Sequence, residues 1–432
     1  MTTHNNETLA QPRARGASPP VYSAAEHTRC CIVGAGPGGA MLALLLARKG
    51  VPVTLLEAHH DFDRDFRGDT LHASALEVLD QIGLADNLLQ LRHAKVTHLD
   101  LPTRDGPIVV NLFGALDTKF PFITVMAQSR FLEFITAEAG RYPDFRLVMN
   151  ARVDALIDEG GVIRGVRYRD PAGEHELRAS LTVAADGRFS TVRKLAHLDV
   201  DVVKTASRVD VLWFRVSRRD SDPTEALAGR VGSGLFAVFI DRFDYWQVGC
   251  TLIKGGFGAL KASGLAHFRE TLGQVAPEWA DRLHELQDWK QTALLSVESS
   301  RLKCWHRPGL LLIGDAAHVM SPVGGVGINY AIQDAVVACN ALAPKLTSGE
   351  PITDNDVAEV QRQREWPTRV IQTFQSLAQR AVSGVVIGAG RDQAPMRTVP
   401  RFILPLLNLP WILKIPARLI SYGVNAPRLL AP

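Results

Sequence analysis

Gly34, Gly36 and Gly39 stand at GxGxxG spacing in the run CCIVGAGPGG, and Glu57 follows 23 positions after the first of them. The chemistry open to such a set is phosphate binding. The first glycine permits a tight turn, the second lets a pyrophosphate approach the backbone, and the third lets a helix pack closely on a strand. Pro37 and Gly38 complete the turn, and the N–H groups of the helix that follows would face the phosphates. An acid at position 57 suits both hydroxyls of an adenosine ribose. A 2′-hydroxyl without phosphate is therefore expected, as in FAD or NAD rather than NADP.

Such residues need a strand, a turn and a helix to hold them. Residues 29–33 read as a buried strand, 34–39 as the turn, 40–49 as a helix and 53–57 as a second parallel strand, which makes a complete βαβ unit. From residue 151, short alternating runs broken by Gly160-Gly161 and Pro171-Ala172-Gly173 predict an antiparallel meander leading into the strand LTVAAD. Asp186, Gly187, Ser190 and Arg193 come at its carboxyl end, where open α/β sheets bind ligands. A third strand, turn and helix follow in RPGLLLIGDAAHVMSPVGGVGINYAIQDA. There Gly314 and Asp315 end the strand, and Asp315 is placed for a sugar or sugar-alcohol chain. Gly324, Gly325 and Gly327 remove side chains where a flat ring must approach. The positive end of the next helix favours a ring carrying negative charge, as a reduced flavin does.

Composition excludes several other classes. The chain has 432 residues, 46% hydrophobic and 22% charged, enough for a large core and two domains. A net charge of +3 is too mild for a nucleic-acid footprint. Five scattered cysteines lack metal-ligand spacing, so no metal is expected and a reduced, cytoplasmic protein is. Residues 1–27 have no apolar h-region and read as a flexible polar leader, and no apolar run is long enough for a transmembrane helix.

GAGPGG, ADGRFSTVR and GDAAHVMSPVGGVGIN, in this order, resemble the three motifs of the single-component FAD-dependent aromatic hydroxylases, the p-hydroxybenzoate hydroxylase-like flavoprotein monooxygenases. The resemblance covers most of residues 28–345. It implies an α/β fold: a Rossmann-like FAD-binding domain in three ββα layers, an inserted antiparallel substrate domain and a C-terminal helical segment. The FAD-binding domain is expected at 28–95, 126–198 and 299–350, the substrate domain at 96–125 and 199–298, and helices with an apolar cap at 351–432. It further implies that Gly34, Gly36, Pro37, Gly38, Gly39, Glu57 and Ala58 hold the ADP half of FAD, with Gln128, Arg130 and Val153 nearby. Gly314 and Asp315 would take the ribityl chain. Gly325, Gly327, Ile328 and Asn329 would present backbone to the isoalloxazine, with Arg67 as a flavin-contacting arginine. Asp186 and Gly187 belong to a motif associated with both FAD and the reduced nicotinamide. Pro322, lining the substrate side, and His72, close to Arg67, are the catalytic-site candidates, although a surface histidine is an equal alternative for His72. No triad is expected. His318, Asp334 and Ser190 read as structural.

The implied chemistry is reduction of FAD by transiently docked NADH or NADPH, capture of O2 as a flavin C4a-hydroperoxide, and transfer of one oxygen to an aromatic, apolar small molecule. A second nucleotide fold is suggested by GVVIGAGRD at 384–392, but no spaced acid follows and it reads as a decoy. Trp213, Phe236, Phe239, Tyr245 and Trp246, in strand-like runs, are the candidates for a substrate cavity, with plain core as the competing assignment. The proline-broken basic tail carries Arg397, Arg401, Lys414, Arg418 and Arg428. It is expected to cap the substrate domain, with a homodimer surface and a weak membrane contact as alternatives. Reduction of a lipophilic polyene and non-catalytic FAD binding are the rival functions.

Overall fold

A computed structural model describes residues 25–63, 70–103, 106–198, 202–205, 207–222, 226–388 and 410–430. Its central sheet runs His306–Arg307, Leu310–Leu312, Gly173–Ala184, Glu26–Val33, Val53–Leu56, Phe145–Val148, with every junction parallel except the first. Side chains alternate across a strand. Cys30 and Ile32 therefore enter a core beneath helices, while Cys31 and Val33 enter a second core on the other face. Helices Pro37–Arg48, Gln128–Ala139 and Gly327–Ser348 close the first core. The first of them is apolar all round and buried from Gly38 through Ala47, as a helix inside a core must be. The antiparallel meander Arg152–Glu159, Val162–Asp170 closes the second core. Strand Gly173–Ala184 belongs to both layers, antiparallel to Val162–Asp170 and parallel to Glu26–Val33. The result is the three-layer ββα domain.

A seven-stranded sheet forms the second unit, in the order Ala293–Leu295, Val209–Ser217, Tyr245–Ile253, Leu235–Asp241, Ala226–Gly232, His98–Thr103, Gly106–Val110. It is antiparallel save for one junction, Ala226–Gly232 with His98–Thr103, which is parallel, as the long connection between the two strands permits. Helix Leu265–Val275 and the 3-10 segment Pro277–Glu285 seal one face. A small sheet of Thr70–Leu71, Ile123–Val125 and Ala94–Val96 stitches the two units together.

The long helix Asp354–Gly388 packs along both units and contains GVVIG, so that run is helical and supplies no strand for a second nucleotide fold. Helix Pro410–Tyr422 packs one face against the molecule and leaves Lys414, Ile415 and Arg418 exposed on the other. Its Leu413 and Ala417 are buried among Ala94, Val96, Phe113 and Val125. Tyr422 Oη donates to Glu77 Oε1 at 2.5 Å, and Gln333 Nε2 donates to the Tyr422 carbonyl at 3.0 Å. Among the described residues no helix is long and apolar enough to cross a membrane.

Candidate functional site

The first glycine turn is shaped by close backbone approach. Gly34 has φ +99°, and a Cβ there would lie 2.6 Å from the Ala185 carbonyl oxygen. At Gly39 a Cβ would lie 2.0 Å from the Gly34 oxygen. At Gly36, by contrast, it would come no closer than 3.9 Å to the atoms around it. The helix beginning at Pro37 has no side-chain cap and no acid in its first turn, so its leading N–H groups lack side-chain acceptors. This backbone cradle fits a pyrophosphate. Glu57 is buried at the neighbouring strand tip, where Oε2 accepts from Ala35 N at 3.0 Å. Its Oε1 accepts from His59 N at 3.0 Å and lies 2.6 Å from His59 Nδ1. Ala58 between them is exposed.

The second motif is a stitched turn. Asp186 accepts from Ser190 Oγ at 2.5 Å and from Val192 N at 3.0 Å, so these bonds of its carboxylate point back into its own loop. Burial raises its pKa, and the bonds from Ser190 and Val192 work against that rise. Ser190 caps helix Thr191–Leu195 through Arg193 N at 2.9 Å. Arg193 then reaches the Arg188 carbonyl at 2.8 Å and the Ala316 carbonyl at 3.0 Å, tying this turn to the third motif. At Gly187, φ +79°, an added Cβ would meet nothing within 4 Å.

In the third motif Gly314 has φ +57°, and its N–H donates to Asp334 Oδ2 at 2.9 Å. The same oxygen lies 2.6 Å from His318 Nε2, and Asp334 Oδ1 accepts from Arg364 Nε at 2.7 Å. All three side chains are at most 1% exposed. Burial alone would raise the Asp334 pKa, but the charges of His318 and Arg364 hold it well below the ordinary carboxylate range. This buried cluster fixes the strand tip beside Asp315, which is half-buried. The glycine loop that follows is pinned from outside. A Cβ at Gly325 would lie 2.4 Å from Thr70 Oγ1, which itself donates to the Gly325 carbonyl at 2.9 Å. Asn329 accepts from His72 N at 2.8 Å and donates to the Thr70 carbonyl at 3.2 Å. Its side chain is a clamp. At Gly327 an added Cβ would come no nearer than 3.8 Å to Met320, and helix Gly327–Ser348 starts with no side-chain cap and no acid. Ile328 is buried and Pro322 half-buried at the loop's entrance.

His72 is not a surface histidine. It is 0% exposed, with Nδ1 2.9 Å from the Ile420 carbonyl of the tail helix and Nε2 without a hydrogen-bond partner. Burial lowers its pKa to about 4, against the opposing bond to Ile420. Gln128 and Arg130 open helix Gln128–Ala139, where Arg130 is exposed. Val153 is buried in the meander core, which leaves its backbone alone for a ligand. Arg67 lies outside the described residues, as do Arg397 and Arg401.

The five aromatic candidates divide between the two faces of the second sheet. Phe239 and Trp246 are both 0% exposed on the helix-covered face. Phe239 stacks on Trp279 at 3.9 Å, and Trp246 Nε1 donates to Asp222 at 2.8 Å. Their assignment to a substrate cavity is therefore corrected to core: alternation from Trp213 and Phe236 places them on the opposite side. Trp213, Phe236 and Tyr245 lie on the other face, each partly exposed. The Trp213 ring lies across Gly249, where a Cβ would be 2.6 Å from it, and Arg215 on the same face covers the Tyr245 ring at 4.8 Å. Ile240, also on this face, packs against the cluster that holds Leu413 and Ala417.

The sequence left His59, Thr70 and Arg364 unnoticed. Arg364 carries no local signal, because its partner Asp334 is 30 positions away on another helix.

Three glycine turns at the ends of parallel strands, with uncapped helix starts facing outward from two of them, define a dinucleotide-binding flavoprotein fold. The FAD binding domain family matches residues 27–354. Over 375 residues the chain is 34% identical to 6-methylpretetramide 4-monooxygenase of Streptomyces rimosus, spanning 86% of this chain and 88% of that one. Its fold matches PqsL, a probable FAD-dependent monooxygenase of Pseudomonas aeruginosa, with TM-score 0.71 and 22% identity over 84% of this chain and all of that one. It also matches the OxyS anhydrotetracycline hydroxylase of Streptomyces rimosus, with TM-score 0.70 and 22% identity over 94% of this chain and 78% of that one. The chain belongs to this FAD-binding family and is an FAD-dependent monooxygenase of the aromatic-hydroxylase type, for which NAD(P)H is the typical electron donor.

Proposed function

We propose that the enzyme hydroxylates a fused-ring aromatic compound bound between the glycine loop at 322–327 and the open face of the second sheet. The observation that carries this is the asymmetry of that sheet. One face is sealed by helices, whereas the other presents Trp213, Phe236 and Tyr245, a surface suited to a broad flat ring system. The relative from Streptomyces rimosus acts, by its name, on 6-methylpretetramide, and OxyS on anhydrotetracycline. FAD, when bound, supplies the oxygen-activating chemistry.

The chain's own residues do the rest. Gly34, Gly36, Pro37, Gly38, Gly39 and Glu57 hold the ADP half, and Gly314 and Asp315 the sugar-alcohol chain. The backbone of Gly327, Ile328 and Asn329 would hold the flavin ring, with Pro322 lining the substrate side of the loop. Asn329 and Thr70 fix that backbone, so its N–H groups are oriented before any ligand arrives. The tail helix caps the cavity, pressing Leu413 and Ala417 beneath the strands that lead to it. His72, neutral because of its burial, joins the cap to the loop and keeps the cavity free of an added charge.

The test is NAD(P)H oxidation by the purified holoenzyme with fused-ring aromatics, single-ring phenols and a linear polyene, with oxygen uptake recorded and products weighed. Stimulation by fused rings, with a gain of one oxygen atom, is expected. NAD(P)H oxidation without oxygen uptake, or a preference for the polyene, would overturn the proposal.

A further inference from the structure

Glu57 and His59 flank the exposed Ala58 just past the tip of strand Val53–Leu56. The chain there is zipped to the turn that follows the neighbouring strand, Phe145–Val148. Glu57 N donates to the Val148 carbonyl at 2.9 Å, Ala151 N to the Glu57 carbonyl at 2.7 Å, and Asn150 N to the His59 carbonyl at 2.9 Å. Asn150 has φ +57°, a left-handed conformation that Asn adopts more readily than most residues. The backbone on both sides of Ala58 is therefore anchored.

Three donors converge on the Glu57 carboxylate. Oε2 accepts from Ala35 N, inside the first glycine turn, at 3.0 Å. Oε1 accepts from His59 N at 3.0 Å and from His59 Nδ1 at 2.6 Å. A carboxylate only accepts, so the proton of this last bond is on Nδ1. It is the shortest of the three, as a bond from a ring N–H to a carboxylate should be. The Glu57 side chain is 9% exposed and that of His59 58%, so the imidazole stands at the rim with the acid behind it. The adjacent His60 turns elsewhere, its Nε2 2.9 Å from Asp61.

We propose that His59 is a positioning residue for the adenosine end of FAD, its Nδ1 bond holding the Glu57 carboxylate in the orientation that receives the ribose hydroxyls. This rests on the reading of Glu57 as the acid that holds the ADP half. A donor fixed on Oε1 restrains the torsion that carries both oxygens, which keeps Oε2 against the glycine turn. The bond lies within the chain, so the acid is oriented in advance of the nucleotide and binding loses less to ordering.

The experiment uses the full-length holoenzyme loaded with FAD or with its 2′-deoxyadenosine analogue. Recovery of flavin fluorescence on dilution gives the affinity for each. The parent should hold FAD about tenfold more tightly than the analogue, the order of magnitude of a hydrogen bond to a charged group. His59→Ala should weaken FAD by a similar factor and the analogue far less, so that the gap between them closes. His59→Asn, whose amide N–H can stand in for Nδ1, should restore most of the gap, and His60→Ala should leave it unchanged. An unaltered gap in His59→Ala, equal weakening of both flavins, no rescue by Asn, or an equal effect of His60→Ala would each overturn the proposal. Glu57→Gln separates the two levels. If it abolishes the gap while His59→Ala preserves it, the role of His59 alone fails; if parent and Glu57→Gln both lack a gap, the reading of Glu57 fails and this proposal with it.

Discussion

Around residues 34–39 and 324–327 the surface proposed to face the cofactor is made of backbone, whereas across strands Val209–Ser217, Leu235–Asp241 and Tyr245–Ile253 the surface proposed for the substrate is made of side chains. The difference is chemical. A pyrophosphate and a flavin edge are invariant and ask for N–H groups, which any sequence supplies provided that glycines remove the obstructing Cβ atoms. A substrate surface is individual, and is written in which side chains fall on the open face. Damage to the first region should remove the cofactor, and damage to the second should change what is oxidised.

The largest effect should come from Gly39→Ala, whose Cβ would sit 2.0 Å from the Gly34 oxygen, so helix and strand must separate. Loss of soluble yellow protein is expected. Gly36→Ala, with nothing nearer than 3.9 Å, should fold and keep its circular dichroism while losing FAD affinity. If both variants bind FAD normally, the backbone account of this region fails. Next comes Arg364→Met, which removes the guanidinium from buried Asp334, leaves His318 as its other side-chain partner, and should destabilise the native state by about 3–5 kcal/mol in urea unfolding. FAD should be released at lower urea than in the parent, because Gly314 hangs on the same carboxylate.

Phe239→Ala and Phe236→Ala set the two faces of the second sheet against each other. Phe239 is fully buried against Trp279, and its truncation should cost about 3–5 kcal/mol of stability while leaving KM for the aromatic substrate nearly unchanged. Phe236, partly exposed, should lose less stability and raise KM about tenfold, the equivalent of about 1.4 kcal/mol of binding. A reversed pattern would place the cavity on the helix side.

This contrast also explains what was legible in the sequence. Gly34, Gly39 and Glu57 were readable because each position admits few residue types and the strand, turn and helix between them are local. The aromatic runs announced strands but not faces: only the pairing of Trp213 with Gly249 and of Phe239 with Val248 separates Trp213 from Phe239. His318 and Asp334, expected to be structural, are buried and bonded to each other, yet Arg364, which also bonds Asp334, comes from a helix whose approach no local pattern records. For His72 the neighbouring residues left surface and site equally open. Ile420, whose contact takes the ring off the surface, is 348 positions away.

His72 joins the tail helix to the glycine loop, and it gives the effect that is smallest near neutral pH, one expressed only as the medium turns acid. Its folded-state pKa of about 4 lies below the ordinary histidine value of 6.5, with burial as the main cause. As pH falls from 6.5 toward 4, the unfolded chain takes up a proton that the native chain refuses, so stability present above pH 6.5 is lost through that window, about 3 kcal/mol in all at its lower end. Near pH 6 the loss is only a fraction of that. His72→Gln should flatten this limb of a pH series of urea unfolding curves while leaving the limb above pH 7 parallel to the parent's. Tail docking should follow the same window, since protonation adds a charge beside the unpartnered Nε2 in a place that water does not reach. Protease cleavage within helix Pro410–Tyr422 should therefore accelerate in the parent between pH 6.5 and 4.5 and not in the variant. Equal acid sensitivity in both would mean that the joint between cap and loop is held by packing alone, with Leu413 and Ala417 sufficient to seat the tail.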